Sequence, residues 1–221
     1  MAHTTRVKVC GVRTPEDALA CVAAGVDTLG LNFWPGTPRC VDVPRARAIL
    51  AELPAGLEVV AVFVDQGLDF VRRVRNETGI AWVQLHGEEP PEDVAALLPY
   101  AYKALGVLDV SPLDEVRRFP GEHILLDARV PGAMPGGTGA RFDWALATQT
   151  ALERKLTLAG GLTPDNVAEC VRLVRPYRVD VASGVESAPG VKDAEKVQAF
   201  VQAVREADEA RNTSSCTSLP A

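Results

Sequence analysis

The chain has 221 residues, of which 47% are hydrophobic and 24% charged, a composition typical of a folded protein with a sizeable core. Its net charge of −6 argues against a nucleic-acid partner, which needs a basic surface. No apolar run approaches the ~18 residues of a membrane helix, and the N-terminus lacks the apolar stretch of a signal peptide, so we expect a cytoplasmic protein without a membrane partner.

The five cysteines agree with a reducing compartment. They are odd in number, scattered along the chain and contain no C-x-x-C pair, which makes a zinc or redox motif a poor reading. Free thiols are the simpler account. We expect Cys21 and Cys170 to serve in the packing of helices.

Short β-branched apolar runs alternate with charged stretches of helical character. Eight runs are predicted as strands, over residues 6–11, 28–34, 58–65, 82–87, 102–107, 123–127, 156–159 and 179–183. Helix signals separate them. A Thr-Pro or Ser-Pro start, with the first residue as N-cap, occurs at Thr14-Pro15, Ser111-Pro112 and Thr163-Pro164. Other boundaries are set by Gly25, Pro44, Leu68, Gly79, Pro90, Asp143 and Asp193.

Eight strands alternating with helices predict a parallel sheet in the α/β class. At this length the sheet closes most naturally as a single (β/α)8 TIM barrel over residues 1–205. The alternative is an open doubly wound sheet, but no G-x-G-x-x-G follows the first strand. The segment 206–221 is polar and aperiodic, so we expect a disordered tail.

Barrel active sites lie at the carboxyl ends of the strands, and the polar residues here collect at those ends. Gly160-Gly161 follows the seventh strand and Ser183-Gly184 the eighth. Either pair alone would be read as a tight turn. Together, at the two positions where barrel enzymes bind phosphate, they predict a phosphate site.

Cys10 lies at the end of the first predicted strand, followed there only by Gly11, and Asp127 ends the sixth. An isolated cysteine is most often a small buried hydrophobe, but a thiolate at a barrel mouth could act as a base if a nearby cation lowers its pKa. An aspartate after three aliphatic residues could cap a helix, pair with a cation or act as an acid whose pKa burial raises.

Three further side chains could serve the same site. Arg39 is either a solvated surface arginine or a fork that binds a carboxylate. Gln84 and His86, two apart on one strand, are either core residues or substrate contacts. The glycine-rich run 128–141 suggests a mobile loop over the mouth.

The residues named so far stand in a series of short motifs that spans residues 6–204. These are Lys8-Val9-Cys10-Gly11-Val12, Gly36-Thr37-Pro38-Arg39, Val83-Gln84-Leu85-His86-Gly87-Glu88, Leu125-Leu126-Asp127, Gly136-Gly137-Thr138-Gly139, Phe142-Asp143-Trp144, Leu158-Ala159-Gly160-Gly161-Leu162, Asn166-Val167, Ser183-Gly184-Val185-Glu186, Pro189-Gly190 and Lys192-Asp193. In order and spacing the series resembles the phosphoribosylanthranilate isomerase family of tryptophan biosynthesis. The departures are small: Thr37 stands where the family commonly has serine, and Asn32 where it usually has an apolar residue.

The resemblance implies an Amadori rearrangement of N-(5-phosphoribosyl)anthranilate to 1-(2-carboxyphenylamino)-1-deoxyribulose 5-phosphate, with no metal and no organic cofactor. Asp127 matches the general acid that opens the ribose ring, and Cys10 the general base that removes the C2 proton. Arg39 matches the contact to the anthranilate carboxylate. The backbone at Gly160, Gly161, Ser183 and Gly184 matches the phosphate cradle. The acid and base are expected at neighbouring strand ends.

Other functions remain open at this point. An indole-glycerol-phosphate synthase would need lysines at the mouth, and a pentose-phosphate epimerase would need metal-binding histidines, of which only His3, His86 and His123 exist. A non-catalytic binder of phosphorylated ligands is the third reading, although retention of Cys10 and Asp127 argues against it. Monomer and homodimer are equally compatible with the sequence.

Overall fold

The computed structural model describes residues 4–106, 113–127 and 144–216. Three expectations concern residues outside these ranges: the helix start at Ser111-Pro112, the cap at Asp143 and the loop over 128–141. None of the helices within the described ranges is both long enough and apolar enough to cross a membrane.

Eight parallel strands pair in chain order and close into a barrel, each hydrogen-bonded to the next and β8 to β1. Its strands are β1 Arg6–Cys10, β2 Thr28–Asn32, β3 Glu58–Phe63, β4 Trp82–Leu85, β5 Ala101–Gly106, β6 His123–Asp127, β7 Lys155–Ala159 and β8 Arg178–Val181. A small antiparallel hairpin follows, made of β9 Glu186–Ala188 and β10 Val191–Lys192. The prediction of a closed barrel is therefore confirmed.

Helices follow the strands and cover the outside of the barrel. They are α1 Pro15–Ala23, α2 Val43–Ala51, α3 Leu68–Thr78, α4 Pro91–Ala95, α5 Leu113–Arg118, α6 Trp144–Glu153, α7 Val167–Val174 and α8 Ala194–Cys216. Helix α1 begins as predicted, because the Thr14 side chain accepts a hydrogen bond from the backbone N–H of Asp17 at 3.1 Å. Gly79 ends α3 in the left-handed conformation, with φ of 75°.

Two local predictions are wrong. Thr163-Pro164 does not open α7, because residues 164–166 form a turn and the helix starts at Val167. In that turn Asn166 accepts a hydrogen bond from the Thr163 N–H at 2.9 Å, so the capping direction is reversed.

The expected irregular tail is the second error as far as Cys216, since α8 continues from Ala194 to Cys216, and residues 217–221 lie outside the described ranges. Asp208, 3% exposed, explains why the helix stays on the barrel. Its carboxylate accepts the backbone N–H of Thr5 at 2.6 Å and the Thr5 hydroxyl at 3.0 Å. The polar sequence of this segment does not indicate the contact, because Thr5 lies at the other end of the chain.

The main apolar core lies between the strands and the surrounding helices. Cys21 and Cys170 belong to it, as predicted. The barrel interior holds a smaller apolar cluster around Val60, Val62 and Leu125. Below that cluster the amino end of the barrel is closed by Arg178, a fully buried residue that donates to threonine hydroxyls and contacts Glu58. The carboxyl end of the barrel is the open one.

Candidate active site

A cavity of about 340 Å³ opens at the carboxyl ends of the strands. Its lining includes every site residue proposed from the sequence, namely Cys10, Arg39, Gln84, His86, Asp127, Gly160, Gly161, Ser183 and Gly184. They meet there because parallel strands place all their carboxyl ends on one face of a barrel. Asn32 and Trp34 also line the cavity; Asn32 accepts a hydrogen bond from the Trp34 N–H at 2.8 Å.

Cys10 and Asp127 lie on strands that are not neighbours, so the expectation of adjacent strand ends is wrong. Cys10 ends β1 and Asp127 ends β6, and β7 and β8 stand between them in the barrel. The thiol and the carboxyl therefore border the same cavity from separate parts of its rim. This separation leaves room for a ligand between an acid and a base.

The Cys10 thiol sits in a tight, charged environment. Gly30 leaves space for it, because a Cβ at Gly30 would come within 2.8 Å of the Cys10 Sγ. Burial raises the pKa of the thiol above its ordinary 9.0, and Asp180 adds to this, while Lys8 and Lys192 act in the opposite direction. The net direction is upward, so a cation beside the thiol is present but does not lower its pKa below the ordinary value.

A buried polar chain runs beneath the cavity. Lys8 donates from its ammonium to Asp180 at 2.5 Å and to the Gln84 side-chain oxygen at 2.9 Å. Burial alone would lower the pKa of Lys8, but Asp180, Cys10 and Tyr102 together outweigh it and the pKa is raised. The Tyr102 hydroxyl also donates to the Gln84 oxygen, at 3.0 Å. These hydrogen bonds hold the Lys8–Asp180 ion pair and the Gln84 amide in place beneath Cys10 and Asp127.

The hydrogen bonds of Gln84 determine which nitrogen of His86 carries a proton. Because Lys8 and Tyr102 are both donors toward the Gln84 oxygen, the amide nitrogen of Gln84 must face His86. That nitrogen lies 2.9 Å from His86 Nδ1, which consequently acts as the acceptor. The proton of the neutral ring is therefore on Nε2, which lies 3.5 Å from the Asp127 carboxylate. His86 is thus oriented toward the candidate acid.

The charged partners under the cavity were not identified from the sequence. Lys8 stands in the first of the motifs but was given no role, and Asp180 was not singled out. A signal was available: Arg178 and Asp180 are charged residues two apart in an otherwise apolar strand, which indicates a polar barrel interior. Asp180 Oδ1 is buried and has no hydrogen-bond partner in the described part of the chain.

Arg39 reaches the cavity from the loop after β2, but it is not a solvated arginine. Its Nε and Nη2 donate to the two carboxylate oxygens of Glu186, at 2.8 and 2.6 Å. Lys192 binds the same carboxylate at 2.9 Å. Glu186 and Lys192 both belong to motifs named in the sequence analysis, but nothing in the spacing of those motifs predicts a contact with Arg39.

The loops after β7 and β8 provide a glycine-rich rim. Gly160 and Gly161 have φ of 96° and 64°, in the left-handed region that favours glycine. A Cβ on Gly184 would lie only 1.9 Å from the Leu162 carbonyl oxygen, so the two loops pack directly on each other. A 3₁₀ turn over Ser183–Val185 follows β8. The backbone here can approach a ligand closely.

In the described ranges no three His, Cys, Asp or Glu side chains are grouped closely enough to hold a metal ion. A closed parallel barrel with an acid, a thiol and an arginine around one cavity at its carboxyl end defines a (β/α)8-barrel enzyme with a small-molecule site.

The model of the N-(5′-phosphoribosyl)anthranilate isomerase family matches residues 7–203, so the chain belongs to this family. It is an isomerase of tryptophan biosynthesis. A relative of this name from Geobacter sp. (strain M21) is 47% identical, over 89% of this chain and 96% of its own length. One from Myxococcus xanthus (strain DK1622) is 46% identical, over 91% and 97%.

Solved structures agree with this assignment. The barrel is similar to phosphoribosyl anthranilate isomerase from Thermotoga maritima, with a TM-score of 0.83 and 38% identity, covering 92% of this chain and all (100%) of that one. A second isomerase structure holds reduced 1-(o-carboxyphenylamino)-1-deoxyribulose 5-phosphate; its TM-score is 0.80 and its identity 35%, over 92% of this chain and 100% of that one.

Proposed function

We propose that the chain converts N-(5′-phosphoribosyl)anthranilate to 1-(2-carboxyphenylamino)-1-deoxyribulose 5-phosphate, with Asp127 as general acid and Cys10 as general base. The observation that carries this assignment is that both groups, from strands separated by two others in the barrel, line one cavity together with Arg39 and the glycine-rich loops. The family supplies the reaction class. The roles of the individual residues are the proposal.

In the first step, the Asp127 carboxyl donates its proton to the ribose ring oxygen while the bond from C1′ to that oxygen breaks. The lone pair of the substrate nitrogen forms the C=N bond of a Schiff base. His86 supports this step, since its Nε2–H points toward the carboxylate that remains. Gln84 acts through His86, whose tautomer it sets.

In the second step, the Cys10 thiolate removes the proton from C2′. The electron pair of that C–H bond forms the C=C bond, and the C=N pair returns to nitrogen, which gives an enolamine. The enolamine loses its O2′ proton and gains one at C1′, which gives the ketone. Because burial raises the pKa of Cys10, few molecules carry the thiolate near neutral pH. The thiolate fraction should therefore increase as pH rises.

Two further contacts hold the ends of the substrate. The Arg39 guanidinium, 20% exposed at its side chain, faces the cavity and would bind the anthranilate carboxylate. The backbone of Gly160-Gly161 and Ser183-Gly184 would bind the phosphate, since glycines let N–H groups approach phosphate oxygens. These contacts place the sugar between Asp127 and Cys10.

The test follows the loss of phosphoribosylanthranilate fluorescence, with the substrate generated in situ. Asp127→Asn and Cys10→Ser should each lower kcat by about 10²–10⁴-fold, the usual contribution of a general acid or base. In Asp127→Asn, which removes the titration of the acid, the residual kcat/KM should rise with pH through the neutral range, because the thiolate fraction of Cys10 increases. Binding of the reduced product analogue should change little in Asp127→Asn, because the carboxyl supplies a proton and little affinity.

Matched controls are available in the same chain. Cys40→Ser alters a half-exposed thiol outside the cavity, and Asp69→Asn alters an exposed carboxylate. Both should turn over like the wild type. Undiminished activity in Asp127→Asn or Cys10→Ser would remove that residue from the mechanism. A folded wild type that binds the analogue but leaves the substrate unchanged would refute the assigned reaction.

A further inference from the structure

Arg39, Glu186 and Lys192 form one cluster of charges, called here the clamp triad. It joins two separate pieces of chain, because Arg39 is in the loop after β2 while Glu186 and Lys192 belong to the β9–β10 hairpin. Glu186 sits at the centre, bound by Arg39 through two hydrogen bonds of 2.8 and 2.6 Å and by Lys192 at 2.9 Å. One carboxylate is thus shared by two cations.

The charges of the triad are strongly desolvated. The side chains of Glu186 and Lys192 are 4% and 1% exposed, and that of Arg39 is 20% exposed. Burial tends to raise the pKa of Glu186, but the hydrogen bonds from Arg39 and Lys192 outweigh it, so the pKa is lowered and the carboxylate stays ionised. A buried carboxylate with two cations leaves one positive charge in excess. That surplus faces the cavity through Arg39.

The contact with Glu186 fixes the plane of the guanidinium. Nε and Nη2 both donate to the carboxylate in a side-on fork. Two parallel hydrogen bonds fix the plane of the guanidinium, whereas a single one would let it rotate. Among the described residues no hydrogen bond engages the Nη1 amino group, which can therefore bind a second acceptor. The stem of the arginine is held as well: a Cβ on Gly11 would lie 2.5 Å from Arg39 Cδ, so the side chain lies directly over the residue after Cys10.

Lys192 connects the triad to the backbone beside the thiol. Besides Glu186, its ammonium donates to the carbonyl of Cys10 at 2.7 Å and to that of Ala182 at 3.1 Å. Its three donors are thereby used. The same cation therefore holds Glu186, the end of the strand that carries the thiol, and the residue before the Ser183-Gly184 turn.

We propose that Glu186 is a positioning residue that, anchored by Lys192, presents Arg39 to the carboxylate of the substrate. The inference rests on the proposed function, in which Arg39 binds that carboxylate. Its consequence is specific: loss of the Glu186 charge should impair recognition of the aromatic carboxylate and leave recognition of the sugar phosphate intact. A general structural role of Glu186 would impair both.

The experiment measures inhibition constants of two probes. One is reduced 1-(o-carboxyphenylamino)-1-deoxyribulose 5-phosphate, and the other is its counterpart made from aniline, which lacks the carboxylate. In Glu186→Gln the first probe should bind about tenfold more weakly, as expected for one misdirected charge-assisted hydrogen bond. The second should bind as in the wild type. For the reaction itself, KM should rise while kcat stays within about twofold.

The chain offers a matched control. Glu153 forms a similar fork with Arg117, at 3.3 and 2.8 Å, on the exposed surface. Glu153→Gln should leave both inhibition constants unchanged. Arg39→Ala tests the underlying assumption, because it should remove most of the preference for the carboxylated probe.

The outcomes separate the two proposals. If Arg39→Ala keeps the wild-type preference, Arg39 does not bind the carboxylate and both proposals fall. If Arg39→Ala loses the preference but Glu186→Gln keeps it, only the positioning role is overturned. Should Glu186→Gln fail to fold, Arg39→Lys keeps a cation but cannot form the fork, and the preference should fall about tenfold. Full preference in Arg39→Lys would overturn the positioning role.

Discussion

His123 makes the stability of the barrel depend on pH. It begins β6, at the end of the barrel away from the cavity, and is 8% exposed. Its ring lies against Trp82 and Tyr177, with centroids 4.8 and 5.3 Å away. In the described ranges its Nδ1 has no hydrogen-bond partner. A proton on Nδ1 would therefore have no hydrogen-bond acceptor among the described residues.

Burial, with help from the positive charges of Arg178 and Lys155, lowers the pKa of His123 from 6.5 to about 4, against the weaker opposing effect of Glu122 and Glu58. The folded state thus resists a proton that the unfolded state accepts. This stabilising contribution is complete above pH 6.5 and is lost as pH falls from there toward 4. Linkage gives a loss of about 2 kcal/mol between pH 7.5 and 5, and about 3 kcal/mol below the folded pKa.

The substitution His123→Phe keeps a ring in this space and removes the titration. Urea unfolding of both proteins at pH 7.5 and 5 would give the change in unfolding free energy, and the wild type should lose about 2 kcal/mol more than the variant. Carboxylates common to both proteins cancel in this difference. Activity at pH 7.5 should match the wild type. Equal pH dependence of the two proteins would refute the reasoning.

Two further predictions concern the cavity. In Gln84→Glu the new carboxylate can only accept a hydrogen bond, so His86 must carry its proton on Nδ1. Nitrogen NMR should report this changed tautomer, kcat should fall about tenfold and binding of the analogue should be retained. An unchanged tautomer would contradict the hydrogen bonds assigned to Gln84. Gly184→Ala would place a Cβ 1.9 Å from the Leu162 carbonyl oxygen. Because the loop must then shift, equilibrium binding of the reduced analogue should weaken about tenfold, while the circular dichroism spectrum stays unchanged. Wild-type affinity in this variant would exclude a phosphate site at Gly184.

Most of the architecture could be predicted from the sequence. Alternating apolar runs and capped helices indicate eight parallel strands, and the observed strands differ from the prediction by one or two residues at most ends. The residues that line the cavity could be predicted for the same reason. Once the strand ends are known, a closed parallel barrel must bring Cys10, Gln84 and Asp127 to one mouth.

What could not be predicted were the pairings between charged residues far apart in the chain. Arg39 and Glu186 are 147 positions apart, and Lys8 and Asp180 are 172 apart. Sequence patterns report local periodicity, and they carry no distance between such residues. The polar end of α8 was misjudged in the same way, because Asp208 meets Thr5 only after the barrel has closed.

The protonation of the cavity was also decided by tertiary structure. A cysteine at a strand end can be identified from the sequence, but the direction of its pKa depends on burial and on the balance between Lys8, Lys192 and Asp180. The tautomer of His86 depends on Lys8 and Tyr102, which contact it only through Gln84. The sequence by itself determined which groups stand at the mouth, because strand order and side-chain alternation are local properties. Only the closed barrel decided how they are charged and aimed, because Coulomb and desolvation energies depend on distances across the fold.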